Sequence, residues 1–248
     1  MAEYRHLNNA PITEAIIDLR VRLPSEFQVK NFSSLRETLH DQYPGVEERR
    51  LITGAFGIEA GKPVMRPPVD KGIEGYLFRS ADNTKVVQFK KEGFTFSRLK
   101  PYTDWEDVSA KAKDLWELYV AKAFPELVTR IAVRYINHLK IPLPINDFLE
   151  YLTVPPRVPD NAPQDVSTFL SRVVVHDLQM DIAANITQAL EKSVEPNYAT
   201  VILDIDVYKR GEFAVGINDI WPVFAQLHDL KNRIFFGSIT ERTARLFE

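Results

Sequence analysis

The sequence predicts an α+β fold built as two related halves. Each half runs strand, helix, several strands, long helix, with an antiparallel curved sheet carrying its helices on one face. Three observations carry the prediction. Apolar and polar residues alternate over several runs, the period of a half-buried strand. Short turn signals separate consecutive strands, as in an antiparallel meander. Displaced by 116 positions, the chain repeats its order of elements.

The first strand is EAIIDLRVRL, Glu14 to Leu23. Ala15, Ile17, Leu19, Val21 and Leu23 share one face; Ile16, Asp18, Arg20 and Arg22 share the other. Val29, Phe32, Leu35 and Leu39 then recur at helical spacing. RRLITGAFGIEA reads as a strand with glycines, and KPVMRPPVDKG as a mobile Pro-rich loop. IEGYLFRS, TKVVQFKK and GFTFSRL follow as three strands divided by ADN and KEG. A long helix comes next. Thr103 and Glu106 have the spacing of a capping box, Val108, Leu115, Trp116 and Tyr119 form its apolar stripe, and Pro125 marks its end.

In the second half TRIAVRYINHLKI is a strand and PINDFLEYL a short helix begun near Asn146 or Asp147. VPPRVPDNAPQD is a second Pro-rich loop. FLSRVVVHDLQMDI and the segment after it are strand-like, and TVILDIDVYK is a strong strand. NDIWPVFAQLHDLKNRIFF is a helix with Pro222 expected in its first turn.

The shift of 116 lays Ala15, Ile17, Leu19 and Leu23 on Ile131, Val133, Tyr135 and Leu139. It also lays Phe32 on Phe148, TKVVQF on TVILDI, and Trp105 on Trp221. The halves are 1–125 and 126–248, standing as two domains or fused into one. Their order of elements resembles the saddle of the TATA-box-binding-protein fold and other folds with helices over a curved sheet. Such a likeness of topology does not transfer DNA binding.

NNAPITEAIIDLRV, RIAVRYINHL and LKNRIFFGSITERTARLF together resemble a sporadically distributed, laterally transferred family of bacterial proteins. The N-A-P-x-x-E-A opening and the R-x-x-x-R-Y-x-N motif are the most specific marks, and the resemblance spans nearly the whole chain. The family has no assigned function, so no catalytic residues carry over. The resemblance implies an accessory protein tied to mobile or defence loci.

Composition narrows the function classes. The chain is 45% hydrophobic and 26% charged, a globular balance. It has no cysteine, which removes disulfides and thiolate metal sites. No apolar run approaches the roughly 20 residues of a membrane span, and the opening residues lack a signal-peptide core. A soluble, cytoplasmic protein with no membrane association is expected. The net charge of −3 lacks the basic excess of a dedicated nucleic-acid binder.

Little in the sequence points to catalysis. His6, His40, His138, His176 and His228 are scattered without zinc-ligand spacing, and neither a phosphate loop nor a G-x-S-x-G elbow is present. No cofactor is expected. Asp204 and Asp206 share one strand face, as a Mg²⁺ pair would, though without a third carboxylate. Asp18 and Arg134 coincide under the shift, which suggests an ion pair near a pseudo-dyad. Asn137 occupies an apolar register position, as a bonded structural amide or as part of a ligand pocket. Arg98, Lys100 and Tyr102 lead into Trp105, a basic and aromatic set that the second half does not share. Such a set suits a protein contact or a stacked nucleotide. The binding candidates are therefore Arg98, Lys100, Tyr102, Arg134 and Asn137. The expected function is a non-enzymatic binding or regulatory protein acting through protein contacts, including self-association as a homodimer. The alternatives are a nucleic-acid or nucleotide binder using the curved sheet face and the Arg98 region, and a metal-dependent enzyme using Asp204 and Asp206.

Overall fold

The computed structural model describes residues 1–59, 62–191 and 195–248, and at 55–59 and 62–67 it describes the backbone. Among these residues nine strands form one antiparallel, curved, open sheet. They are β1 Ile12–Arg22, β2 Gly45–Glu59, β3 Lys62–Arg79, β4 Lys85–Lys90, β5 Gly93–Leu99, β6 Leu127–Pro142, β7 Phe169–Asp177, β8 Ile182–Glu191 and β9 Tyr198–Phe213. The order across the sheet is β2-β3-β4-β5-β1-β6-β9-β8-β7. Four helices accompany them: α1 Leu35–Leu39, α2 Trp105–Ala123, α3 Ile217–Ser238 and α4 Glu241–Arg245. No described helix is long and apolar enough to cross a membrane.

The central pair is β1 with β6, where Ile17 lies opposite Val133 and Leu19 opposite Ile131. Neighbours across an antiparallel ladder share a face, so Ile17, Val133, Phe96 on β5 and Val207 on β9 all point the same way. That face is buried in one continuous core. Phe32, Phe89, Phe94, Trp116 and Tyr119 fill its first half, with Trp116 stacked on Tyr119 at 5.2 Å. Phe224 and Leu227 of α3 fill the second. The helices α2 and α3 also meet each other. Trp105 lies flat on His228 at 4.3 Å, and Trp221 Nε1 donates to Ser109 Oγ at 3.0 Å. Both tryptophans are therefore packing elements between helices, as the pairing of Trp105 with Trp221 suggested.

Among the described residues no helix covers the opposite face, and its central charges are paired across the strands. Arg130 bonds Asp18 at 3.0 Å and Asp206 at 2.9 Å, with its guanidinium 4.7 Å from the Tyr208 ring. Lys90 lies 3.8 Å from Asp18, and Arg134 forks onto Asp204 at 2.8 and 2.6 Å. Three cations thus meet three carboxylates. The expected Asp18–Arg134 pair is replaced by Asp18–Arg130. In the register Asp18 faces Ala132, which leaves Arg130 and Arg134 as its two diagonal neighbours; Arg130 bridges Asp18 and Asp206 while Arg134 is taken by Asp204.

Four other expectations change. The Pro-rich stretch KPVMRPPVDKG is not a loop but most of β3. The strand tolerates it because Pro67 and Pro68 fall in a register shift between the pairs Thr53–Val69 and Ala55–Arg66, where no ladder bond is required of them. The α2 cap sits one residue later than Thr103. Asp104 Oδ1 accepts from Asp107 N at 2.7 Å, and Thr103 Oγ1 donates to Asp107 Oδ2. Pro222 is the sixth residue of α3 rather than part of its first turn, because the helix begins at Ile217. Finally, TKVVQF is β4 and TVILDI is β9, and these do not occupy matching places. Counted outward from β1–β6, β9 stands where β5 does, and β4 where β8 does.

Gly93 is obligatory. It has φ +153, and a Cβ there would lie 2.0 Å from the Leu19 carbonyl oxygen. The backbone of β1 leaves no room for it to move. Gly93→Ala should cost about 3 kcal/mol or more in urea unfolding, whereas an alanine at the open Gly54 should cost far less.

Candidate ligand-binding site

A half-open cavity lies at one end of the central strands. It holds about 330 Å³ between the segment 4–12, the start of α2 and the last turns of α3. The topology converges there. Residues 1–11 precede β1 and run along the C-terminal helices. Ala2 N donates to the carbonyls of Phe236 and Ile239, and Asn9 N donates to Phe247 O. Arg5 pairs with Glu241 at 2.5 Å and Glu248 at 2.7 Å. His138 N on β6 donates to Pro11 O at 2.8 Å, which holds this segment beside Asn137. Tyr102 arrives from the far end of β5, which runs antiparallel to β1.

Lys231 is the central polar group. It is 6% exposed, and among the described residues no carboxylate lies within ion-pair distance of it. Its Nζ donates to Asn232 Oδ1 at 2.5 Å and lies 3.8 Å from the centre of the Tyr135 ring. An ammonium that loses water without gaining a counter-charge is disfavoured, so burial lowers the Lys231 pKa to about 7. His228 stands one helical turn earlier on the same side of α3. Burial first, and then the Lys231 charge, lower its pKa to about 3, which keeps the imidazole neutral near pH 7.

Two tyrosines complete the wall. The Tyr102 and Tyr135 hydroxyls are 3.4 Å apart, with their rings edge to face. Burial pushes the Tyr102 phenol up to about 12 and the Tyr135 phenol well above its ordinary value, so both stay protonated donors. Tyr4 accepts from Asn232 Nδ2 at 3.3 Å and packs its ring on Phe236. Asn137 donates from Nδ2 to Leu203 O at 2.9 Å and Tyr135 O at 3.3 Å. Asp104 and Glu106 stand exposed at the rim. The arrangement offers amine, hydroxyl and amide groups to a small polar head, with Trp105, His228 and Phe236 as an apolar wall.

The structure disperses the residues singled out in the sequence. Tyr102 and Asn137 line this cavity together. Arg98 points into the core side of β5, only 8% exposed, with Nη1 on Thr84 Oγ1 at 2.5 Å. Alternation along β5 places it under the helices with Phe94 and Phe96, so it is no surface for a partner. Lys100 is exposed beyond the strand end. Arg134, on the uncovered face, is bound to Asp204. Asp204 and Asp206 are each held by a guanidinium, which takes the oxygens that a metal ion would need.

Lys231, His228 and Asn232 escaped the sequence reading, although a signal was there. Ile220, Phe224, Leu227, Lys231 and Phe235 follow one another at three- and four-residue spacing, so a lysine stands in the apolar stripe of α3. The structure also gathers the three stretches that carried the family resemblance. Asn8, Pro11, Asn137, Lys231 and Phe236 come from all three and line one cavity. In comparisons with known proteins the chain matches no family model and no curated sequence.

The buried amine makes stability depend on pH in a definite sense. Its folded pKa is depressed, so between about 7 and 10.5 the unfolded chain binds more protons, and stability rises with pH across that window. Wild type should gain about 2 kcal/mol relative to Lys231→Met between pH 7 and pH 9 in urea unfolding. Parallel pH profiles for the two proteins would show that Lys231 titrates normally.

Proposed function

We propose that this is a small-molecule binding protein whose ligand enters the cavity at Lys231. The observation that carries the reading is a buried amine with no counter-charge, among the described residues, at the wall of a half-open cavity. A core lysine without a carboxylate is costly as structure alone. A ligand oxygen accepting from Nζ offsets that cost, and the Trp105–His228 stack gives a planar or apolar body a surface to lie on. The volume suits a small metabolite, at the low end of known ligand pockets. This departs from the protein-contact role expected from the sequence by giving the binding site a small ligand. The mirrored strand order about β1–β6 fits a duplicated ancestor related to saddle-shaped folds, with β2 as the extra strand of the first half.

Benzoate, a planar carboxylate of suitable size, tests the reading. At millimolar concentration near pH 7 it should raise the melting temperature of wild type by a few degrees and leave Lys231→Met unchanged. Equal shifts in both proteins would place the binding elsewhere. The absence of any shift with benzoate, acetate or pyruvate would remove the reading.

A second reading keeps the protein-contact role and rests on β7. Among the described residues this strand ends the sheet with one edge unpaired, and Leu170, Val173, Val174 and Val175 are exposed along it, with Leu178 exposed just past its end. Edges of this kind are usually blunted by lysine, proline or a cover, and a second copy could add its own strand there. Val174→Lys should then lower the sedimentation mass of the protein toward that of one chain. A wild type already sedimenting as one chain would sink this reading. The uncovered face is a poorer candidate for nucleic acid, because Lys90, Arg130 and Arg134 already hold carboxylates that a phosphate would have to displace.

A further inference from the structure

We propose that the cavity captures a small aldehyde or ketone covalently, with the Lys231 amine condensing on the carbonyl carbon to form an imine. The inference rests on the reading that the cavity admits a small ligand, and it goes further in naming the ligand's reactive group.

Imine formation asks three things of a site. The amine must be unprotonated, so that its lone pair can attack. A donor must meet the carbonyl oxygen as charge develops on it. Neutral groups must carry protons while the nitrogen loses two of them. The surroundings of Lys231 fit each demand. No carboxylate holds its proton from any element packed against it. The facing groups are Tyr4 from the leading segment, Tyr102 from the loop before α2, Tyr135 on β6, and His228 and Asn232 on α3. Tyr102 and Tyr135 stay protonated and His228 stays neutral near pH 7, and burial favours the free amine for the same reason. The charged groups of the lining are Arg5, which Glu241 and Glu248 hold, and Asp104 and Glu106, exposed to water at the rim, where His6 is exposed as well.

The chemistry balances without an oxidant or reductant. The nitrogen lone pair forms the C–N bond while the carbonyl π pair moves to oxygen. That oxygen takes up one proton, and the nitrogen releases one, giving a carbinolamine. Loss of the second nitrogen proton together with the hydroxyl group then expels one water and leaves C=N. The paired hydroxyls of Tyr102 and Tyr135, 3.4 Å apart, are placed to donate to the carbonyl oxygen. The same hydroxyls, with water entering the open cavity, relay the proton released by nitrogen to the departing hydroxyl; His228, its basicity lowered by burial and by the Lys231 charge, is too weak a base to do so. Asn232 Oδ1, at 2.5 Å, holds the amine toward the Tyr135 ring and orients the remaining lone pair. A lysine kept in the apolar stripe of a helix, desolvated and unpaired, is the usual setting of an amine nucleophile.

The full-length protein, incubated near pH 7 with glyoxylate or with propanal and sodium cyanoborohydride, converts any imine into a stable secondary amine. Peptide mapping by mass spectrometry then reads each lysine. Lys231 should carry the adduct at about tenfold or more the level of any exposed lysine, because those side chains remain protonated. Preincubation with benzoate should suppress that adduct and leave the others unchanged. An unlabelled Lys231 beside labelled surface lysines overturns the proposal, and mapping wild type makes this outcome independent of whether any variant folds. In that event a benzoate shift that still requires Lys231 leaves the reversible binding reading standing, while loss of both removes the cavity as a site.

Discussion

The pairing of β1 with β6 governs the rest of the molecule. It runs for nearly the whole length of β1, and it joins two sets of strands into one sheet with a single buried face. Without it each half would present a long unpaired edge and a core open at one side. Register matters as much as pairing. Ile17 opposite Val133 puts Ala15, Ile17 and Leu19 on the face of Ile131, Val133 and Tyr135. A slip of one residue would turn every one of these side chains to water. The same register decides the ends. Ile12 pairs with Asn137, so the chain entering β1 must pass the last polar position of the β6 core face. The cavity lies where the central ladder gives way to that entering segment, beneath two helices that the sheet alone brings side by side.

A sheet covered on one face must settle its other face by itself. Here the alternation of β1, β6 and β9 exposes Asp18, Arg130, Arg134, Asp204 and Asp206 in adjacent rows. Curvature half-buries most of them, and each finds its opposite across a ladder. Partly screened pairs of this kind contribute modestly to stability. Their larger effect is on specificity of pairing, because a shifted register would place Arg130 and Arg134 against the wrong neighbours. The charge balance of the sequence, close to zero, thus has a spatial meaning. On this face Lys90, Arg130 and Arg134 are each held by a carboxylate.

Most of the fold was legible because its elements announce themselves by period. The first strand, the meander of β4 and β5, the strong β9 strand and both long helices follow directly from alternation or helical spacing. What failed has identifiable causes. Proline punctuates most sequences as a loop signal, and only the register shift opposite Gly54 shows how Pro67 and Pro68 fit a strand. Thr103 and Asp104 are both good caps, and the choice between them depends on where the chain leaves β5, which local sequence does not encode. The shift of 116 aligned the first strands and the tryptophans but laid β4 on β9, since the halves differ in strand number and loop length. Of the site, Tyr102 and Asn137 were visible as misfits of their surroundings, whereas Arg98 had the chemistry of a binding residue and the burial of a core one. No reading of local pattern could show that Asn137 and Lys231, 94 positions apart, line the same space.

That coincidence is the strongest physical argument for the cavity. Polar residues in core registers are uncommon, because each must find a partner or destabilise the fold. A structural amide resolves the difficulty by bonding the backbone, as the Asn137 Nδ2 does with Leu203 and Tyr135. A structural lysine resolves it with a carboxylate or by reaching water, and Lys231 does neither. Its one side-chain acceptor is an amide that itself leans on Tyr4, a residue of the segment that closes the cavity. The chain from amine to amide to hydroxyl therefore ends in the least regular part of the fold, tied down by Arg5 and a few backbone bonds. A core built for stability alone would have placed a leucine at 231, completing the stripe that Leu227 and Phe235 begin. The polar substitution at that one position, beneath a strap of irregular chain, is what a site requires and a core does not.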